Sequence, residues 1–428
     1  MALENDGKNE THLSLSGFPT YATSLARHYL RRDVGHLTTE SCSKVQAIIV
    51  CLLCYMFTRE KLANTPQKIR EELLHLLQPF ATTSTPGRDL PGEVYLDKYL
   101  ESPSVHHRPP SQNDTSTDLH SLNEPSVYHV VQEGLLASTA LKTLLFRPLT
   151  SAIILIFVMK ELAPLQIPPH LPETRALARS VNRTGPTVRD FEATERCRTP
   201  LLADLRKFRA INSSGINLLH DPEIFVLAHA KTTSAAADIT PYLPGMLTGV
   251  WEGSYLVSRL EGTPSSTTGD FVCRKPMQCA ITEYICYPPN IPLDDAPDEL
   301  LTSDLKPSDI NITERGVEIQ SQTYCYEKIT PGGDESHKRG QALDILLFGE
   351  TLEEHEQAWG GYRFVGKVSK GGRIVLKREP KQFEDALLGT WCFDGYLRYG
   401  SAFVGQWRSG TEPESIHGIF SMRKNHDA

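Results

Sequence analysis

No stretch of these 428 residues is apolar for long enough to cross a membrane: the two most apolar runs, 45–57 and 152–159, fall short of the roughly 18 residues that a spanning helix needs. The first 20 residues are polar and lack a basic segment followed by an apolar core, so they read as a disordered lead-in and not as a secretory signal. A basic face is missing too. The formal charge is −8, with 25 basic and 25 acidic side chains in residues 1–240 against 19 and 27 in 241–428. Much of that excess sits in one loop (Asp294, Asp295, Asp298, Glu299, Asp304, Asp309), which argues against a nucleic-acid partner. The nine cysteines are odd in number and follow no regular framework, which excludes a disulfide scaffold and points to reduced thiols in an intracellular protein, cytoplasmic or nuclear. Neither a Gly-x-Ser-x-Gly elbow nor a His-Glu-x-x-His pair is present, so two large hydrolase classes have no foothold.

What is there divides near residue 241. Upstream, 21–232 reads as a mainly helical region. Residues 43–62 are helical and nearly all apolar (Val45, Ala47, Ile48, Ile49, Leu52, Leu53, Met56, Phe57), which fits a helix buried in a bundle. Thr65 is the expected N-cap and Pro66 the first residue of a second helix with the stripe Ile69, Leu73, Leu74, Leu76 and Leu77. Residues 81–126 are rich in Ser, Thr, Pro, Asn and Asp and form a polar linker. Helical signal returns at 126–145, 151–162, 173–181 and 199–211.

Downstream, 241–425 reads as one β-domain, and all four tryptophans (251, 359, 391, 407) lie in it. An aromatic residue, a glycine and a large apolar residue recur at alternate positions: Trp251, Gly253, Tyr255; Phe364, Gly366, Val368; Phe393, Gly395, Leu397; Phe403, Gly405, Trp407. Period-two spacing puts each such set on one face of a strand, with the glycines where strands bend or approach closely. Strands are expected at 247–257, 271–286, 316–328, 342–350, 361–368, 373–378, 389–397, 402–408 and 417–423, with tight turns at 370–373 and 398–401. The fold class is therefore α+β: a helical N-terminal region followed by a curled antiparallel sheet or an up-and-down, calycin-like β-barrel.

The blocks Gly249-Val-Trp-Glu-Gly-Ser-Tyr255, Met277-Gln-Cys-Ala-Ile-Thr-Glu-Tyr284, 349–355, 358–368, 373–380 and 389–408 together resemble the C-terminal domain of a group of F-box-like proteins from mushroom-forming (agaricomycete) fungi. The resemblance covers roughly 245–408 and implies a β-rich recognition domain, a substrate-recruiting module with a protein partner. The Leu-Pro-x-Glu-Ile type of segment that makes an F-box is not found in the sequence.

Candidate sites are few. Gly361 to Lys367 has most of the spacing of a phosphate loop, but Val368 stands where the hydroxyl belongs, and Tyr362, Phe364 and Val368 continue a strand. Cys51 and Cys54, like Cys273, Cys279 and Cys286, read as structural thiols. Glu353, Glu354, His355 and Glu356 form the densest ionisable group; carboxylates beside an imidazole make it the best of a poor set of metal-binding or proton-transfer candidates, and the plainer reading is a solvated turn. His106 and His107 fall in the polar linker. The six aromatics Trp251, Tyr255, Phe364, Phe393, Phe403 and Trp407 either fill the barrel or line a ligand cavity within it. The expectation is a non-enzymatic recognition protein without cofactor or metal, the alternative a carrier of a small apolar ligand.

Overall fold

The structure, a computed structural model, describes residues 10–30, 39–82, 148–201, 242–258, 271–293, 309–313, 316–319, 322–329, 342–369, 372–382, 389–398, 400–409 and 416–425. The expected helix at 126–145, all but the first three residues of the one expected at 199–211, most of the linker, Lys370 and Gly371, the acidic loop 294–308 and the histidines at 106 and 107 lie outside these residues, as does the side chain of Cys273.

Among the described residues eight helices precede the barrel: α1 Glu10–Leu15, α2 Phe18–Tyr29, α3 Thr39–Met56, α4 Arg59–Asn64, α5 Gln67–Thr82, α6 Pro148–Lys160, α7 Arg175–Ser180 and α8 Val188–Arg196. Residues 10–20, expected to be disordered, thus carry α1 and the start of α2, because Ala22 and Ala26 of α2 are buried in the helical core and tertiary packing supplies what local sequence does not. The single helix expected over 43–62 is two. Thr58 breaks it by adopting an extended conformation, and its side chain accepts from the Lys61 N–H to cap α4. Helix α6 is apolar all round, and residues 152–158 are at most 1% exposed. A helix with no polar face must be covered on every side. It packs against α3, α5 and the outer wall of the barrel, where Leu256, Phe271, Ala402, Val404 and Ile419 join the same apolar core.

The strands are β1 Gly249–Ser258, β2 Phe271–Cys286, β3 Ile310–Thr313, β4 Gly316–Ile319, β5 Gln322–Tyr324, β6 Glu327–Lys328, β7 Asp344–Glu350, β8 Tyr362–Val368, β9 Arg373–Pro380, β10 Trp391–Arg398, β11 Ala402–Ser409 and β12 His417–Asn425. Eight of them close an antiparallel barrel in the order β1, β2, β7, β8, β9, β10, β11, β12, and β1 pairs with both β2 and β12, so the sheet has no free edge there. The one strand expected at 316–328 is three short ones. Strands β3, β4 and β5 make a separate small sheet, and β6 alone joins the barrel, on β2. Lys367, facing outward from β8, ties this insertion down: its ammonium donates to the Leu293 carbonyl at 2.9 Å and pairs with Asp344 at 3.1 Å, while the Tyr326 hydroxyl donates to Asp344 at 2.6 Å. The phosphate-loop spacing is accordingly strand, with its lysine buried in an ion pair.

Helices and barrel are also joined by polar contacts. Buried Glu161, just past α6, accepts from Arg59 at 2.9 Å and from the Thr199 hydroxyl at 2.7 Å, and that hydroxyl shares a 2.8 Å hydrogen bond with Ser421 of β12. Among the described residues no helix is long and apolar enough to cross a membrane.

Candidate functional site

The lumen of the barrel is filled in the middle and differs at its two ends. Trp251, Phe364, Phe393, Phe403 and Phe420 are each at most 2% exposed, and their rings touch across the interior: Phe403 to Phe420 at 4.8 Å, Phe393 to Phe420 at 5.3 Å, Trp251 to Phe403 at 6.3 Å. Four of the six candidate residues, Trp251, Phe364, Phe393 and Phe403, therefore pack as core, where offset and edge-on ring pairs are the favoured arrangement.

One end is closed by the segment 242–248. Its backbone N–H groups at Gly245, Leu247 and Thr248 donate to the Glu283 carboxylate at 2.6, 2.6 and 2.8 Å, and the Lys424 ammonium donates to the Met246 carbonyl at 2.9 Å. The Trp251 indole N–H donates to the Leu247 carbonyl at 2.6 Å. Burial pushes the Glu283 carboxyl up, and the backbone donors oppose that rise. The buried charge at this end is provided for.

The other end is where β8 and β10 begin and β9 finishes. Alternation along β9 puts Ile374, Leu376 and Arg378 on the inner face, and the register sets Arg378 opposite Phe364 on one side and Trp391 on the other. Its guanidinium carbon lies 3.9 Å from the centre of the Tyr362 ring and 3.8 Å from that of Trp391. Beside it Trp391 stacks on Trp407 with ring centres 4.2 Å apart and planes 13° from parallel, and Tyr255 meets both edge-on at 5.1 and 5.2 Å. The Trp407 indole N–H is fixed on the Leu256 carbonyl at 3.0 Å. Tyr255 and Trp391 keep partial exposure, so this aromatic group opens outward and the phenylalanines below it do not. Of the remaining two candidates, Tyr255 lies at this opening, and Trp407, itself only 2% exposed, is buried beneath Trp391.

Arg378 is 4% exposed, and its Nε has no acceptor. No ion pair or hydrogen bond to it is found among the described residues; its contacts are the aromatic faces. Burial lowers the guanidinium to about 10, with Tyr362 and Tyr255 opposing the fall, which still leaves it charged at neutral pH. Nothing in the family models, the curated proteins or the solved structures matches this chain. The site therefore has to be read from its own geometry.

The ionisable group at 353–356 is not a solvated turn. Glu353–Trp359 is a helix, α9, set between β7 and β8. Helical geometry sends its side chains apart: Glu356 pairs with Lys381 at 2.9 Å, while Trp359 meets Phe191 of α8 edge-on at 5.0 Å. His355 is half-buried, and burial pushes its imidazole down to about 4; Glu252 and Asp190 pull the other way and Arg378 adds to the fall. Cys51, Cys54, Cys279 and Cys286 are buried thiols that form no disulfide, and burial pushes Cys279 up, away from the reactive thiolate.

Arg378, Tyr362 and Trp391 were not among the sequence candidates. The available signal was weak: Lys377, Arg378 and Glu379 are consecutive charged residues, so alternation is lost at that point, and only strand pairing assigns Arg378 to the inside.

Proposed function

We propose that this chain is a non-enzymatic binding protein whose barrel receives a small ligand at the aromatic mouth formed by Tyr255, Tyr362, Trp391 and Trp407 around Arg378. The observation that carries this reading is the buried, unpaired guanidinium. Leaving a charge in a low-dielectric site without a partner costs several kcal/mol as a rough figure, and the chain accepts that cost at one barrel end while satisfying Glu283 at the other. The filled lumen limits the ligand to the mouth, so a deep apolar carrier cavity is not part of the reading. The substrate-recruiting role suggested by the F-box-like resemblance has no comparable residue geometry behind it.

Trp391 and Trp407 provide the assay, since a ligand entering the mouth perturbs their stacked indoles. Titration of the full chain with a set of small aromatic acids, alcohols and amines should give saturable changes in tryptophan fluorescence, and Trp391→Phe should remove most of the amplitude. A flat response across the whole set would sink the proposal.

A further inference from the structure

The mouth also specifies the charge and shape of what it takes, an inference that rests on the binding reading above. The Arg378 guanidinium carbon sits over the Tyr362 and Trp391 rings, 3.9 and 3.8 Å from their centres. A guanidinium stacked on rings uses its π-faces and leaves its donors, which radiate in the guanidinium plane, for an acceptor in that same plane. The Nε donor is buried and unmet. Glu350, Glu356 and Glu379 come from the surrounding elements, yet none answers Arg378: Glu350 and Glu356 pair with Lys381 instead, and Glu379, next in the strand, points to the opposite face. The guanidinium is thus a cation whose counter-charge the described chain does not supply.

We propose that the mouth binds a monoanionic carboxylate carried on a flat apolar body, with the carboxylate received in plane by Arg378 and the body lying against the exposed parts of Tyr255 and Trp391. A carboxylate is planar and matches the guanidinium fork with two parallel hydrogen bonds. A phosphate monoester is tetrahedral and close to doubly charged at neutral pH, so it would push an oxygen toward the rings and leave negative charge unbalanced by a single guanidinium. The partly exposed Tyr255 and Trp391 give the apolar body two aromatic groups to lie against, and buried Trp407 backs Trp391 from beneath.

Calorimetric titration of the full chain with 2-naphthoate, with the neutral 2-naphthalenemethanol and with 2-naphthyl phosphate tests this. The expected result is that the carboxylate binds at least about tenfold tighter than the alcohol and tighter than the phosphate, as a charge-assisted bidentate contact requires. Arg378→Met keeps a long apolar side chain between the rings and should erase the difference between acid and alcohol. The comparison of ligands on the unaltered protein stands whether or not that variant folds. Equal binding of acid and alcohol would overturn the anion assignment and leave the small-ligand reading intact. Preference for the phosphate would overturn the carboxylate. Failure of all three to bind at millimolar concentration would overturn the mouth as a site altogether.

Discussion

Gly395 and Gly405 face each other across β10 and β11 so closely that a Cβ on Gly405 would lie 2.1 Å from the Asp394 carbonyl oxygen. Gly366 is in the same position, with the Val375 carbonyl oxygen 2.0 Å from its absent Cβ. The obstacle is neighbouring backbone, held in the barrel ladder, and not a side chain that can turn away. These glycines are where adjacent strands press together to let eight strands close.

Gly405→Val and Gly366→Val should each lower unfolding free energy by about 3 kcal/mol, the upper part of the range for overpacking, because the ladder itself must move. Gly389 is the contrast: its φ of +67° disfavours a side chain, but nothing lies within 4 Å of its Cβ position. Gly389→Ala should cost only about 1 kcal/mol. Urea unfolding of the three variants checks the order, and equal losses would refute the close-approach account.

Glu283→Ala removes the acceptor shared by the Gly245, Leu247 and Thr248 N–H groups. Those donors lie at the closed end of the barrel, so the loss should be on the order of 3 kcal/mol. Hydrogen exchange should rise at 245–248 before it rises in the strands. Unaltered protection of those amides would show that the segment is held by apolar packing alone.

His355 makes stability depend on pH in a stated direction. Its folded value is about 4 and the ordinary unfolded value about 6.5, so the unfolded chain binds the proton first. Stability from this group is complete above about pH 6.5 and is lost as pH falls toward 4, by an amount on the order of 2 kcal/mol. His355→Gln should flatten that part of the profile relative to the parent chain in denaturant unfolding between pH 7 and pH 4. Parallel curves for the two proteins would show that the imidazole titrates freely.

Alternating aromatic and apolar residues made the barrel readable from the chain. The spacing of Phe364, Gly366 and Val368, or of Phe403, Gly405 and Trp407, encodes which face is inside, and burial of that face then requires the strands to pair. The apolar run at 152–159 likewise announced a helix that needs cover on all sides. Short elements were less readable: 316–328 has strand composition throughout, yet its division into β4, β5 and β6 depends on which partners its backbone meets.

The sequence by itself determined that this is a helical region followed by a curled antiparallel β-domain, since periodicity and glycine placement are local properties of the chain. Only the tertiary structure decided that the sheet closes through β1 with β2 and β12, and that the helices share a core with its outer wall. It alone separated Tyr255, at the opening, from the other five candidate aromatics, which are buried. The same holds for Arg378, one charged residue among three in a row. Its position between Tyr362 and Trp391 follows from the register of β8, β9 and β10, a relation among distant segments that no local pattern carries.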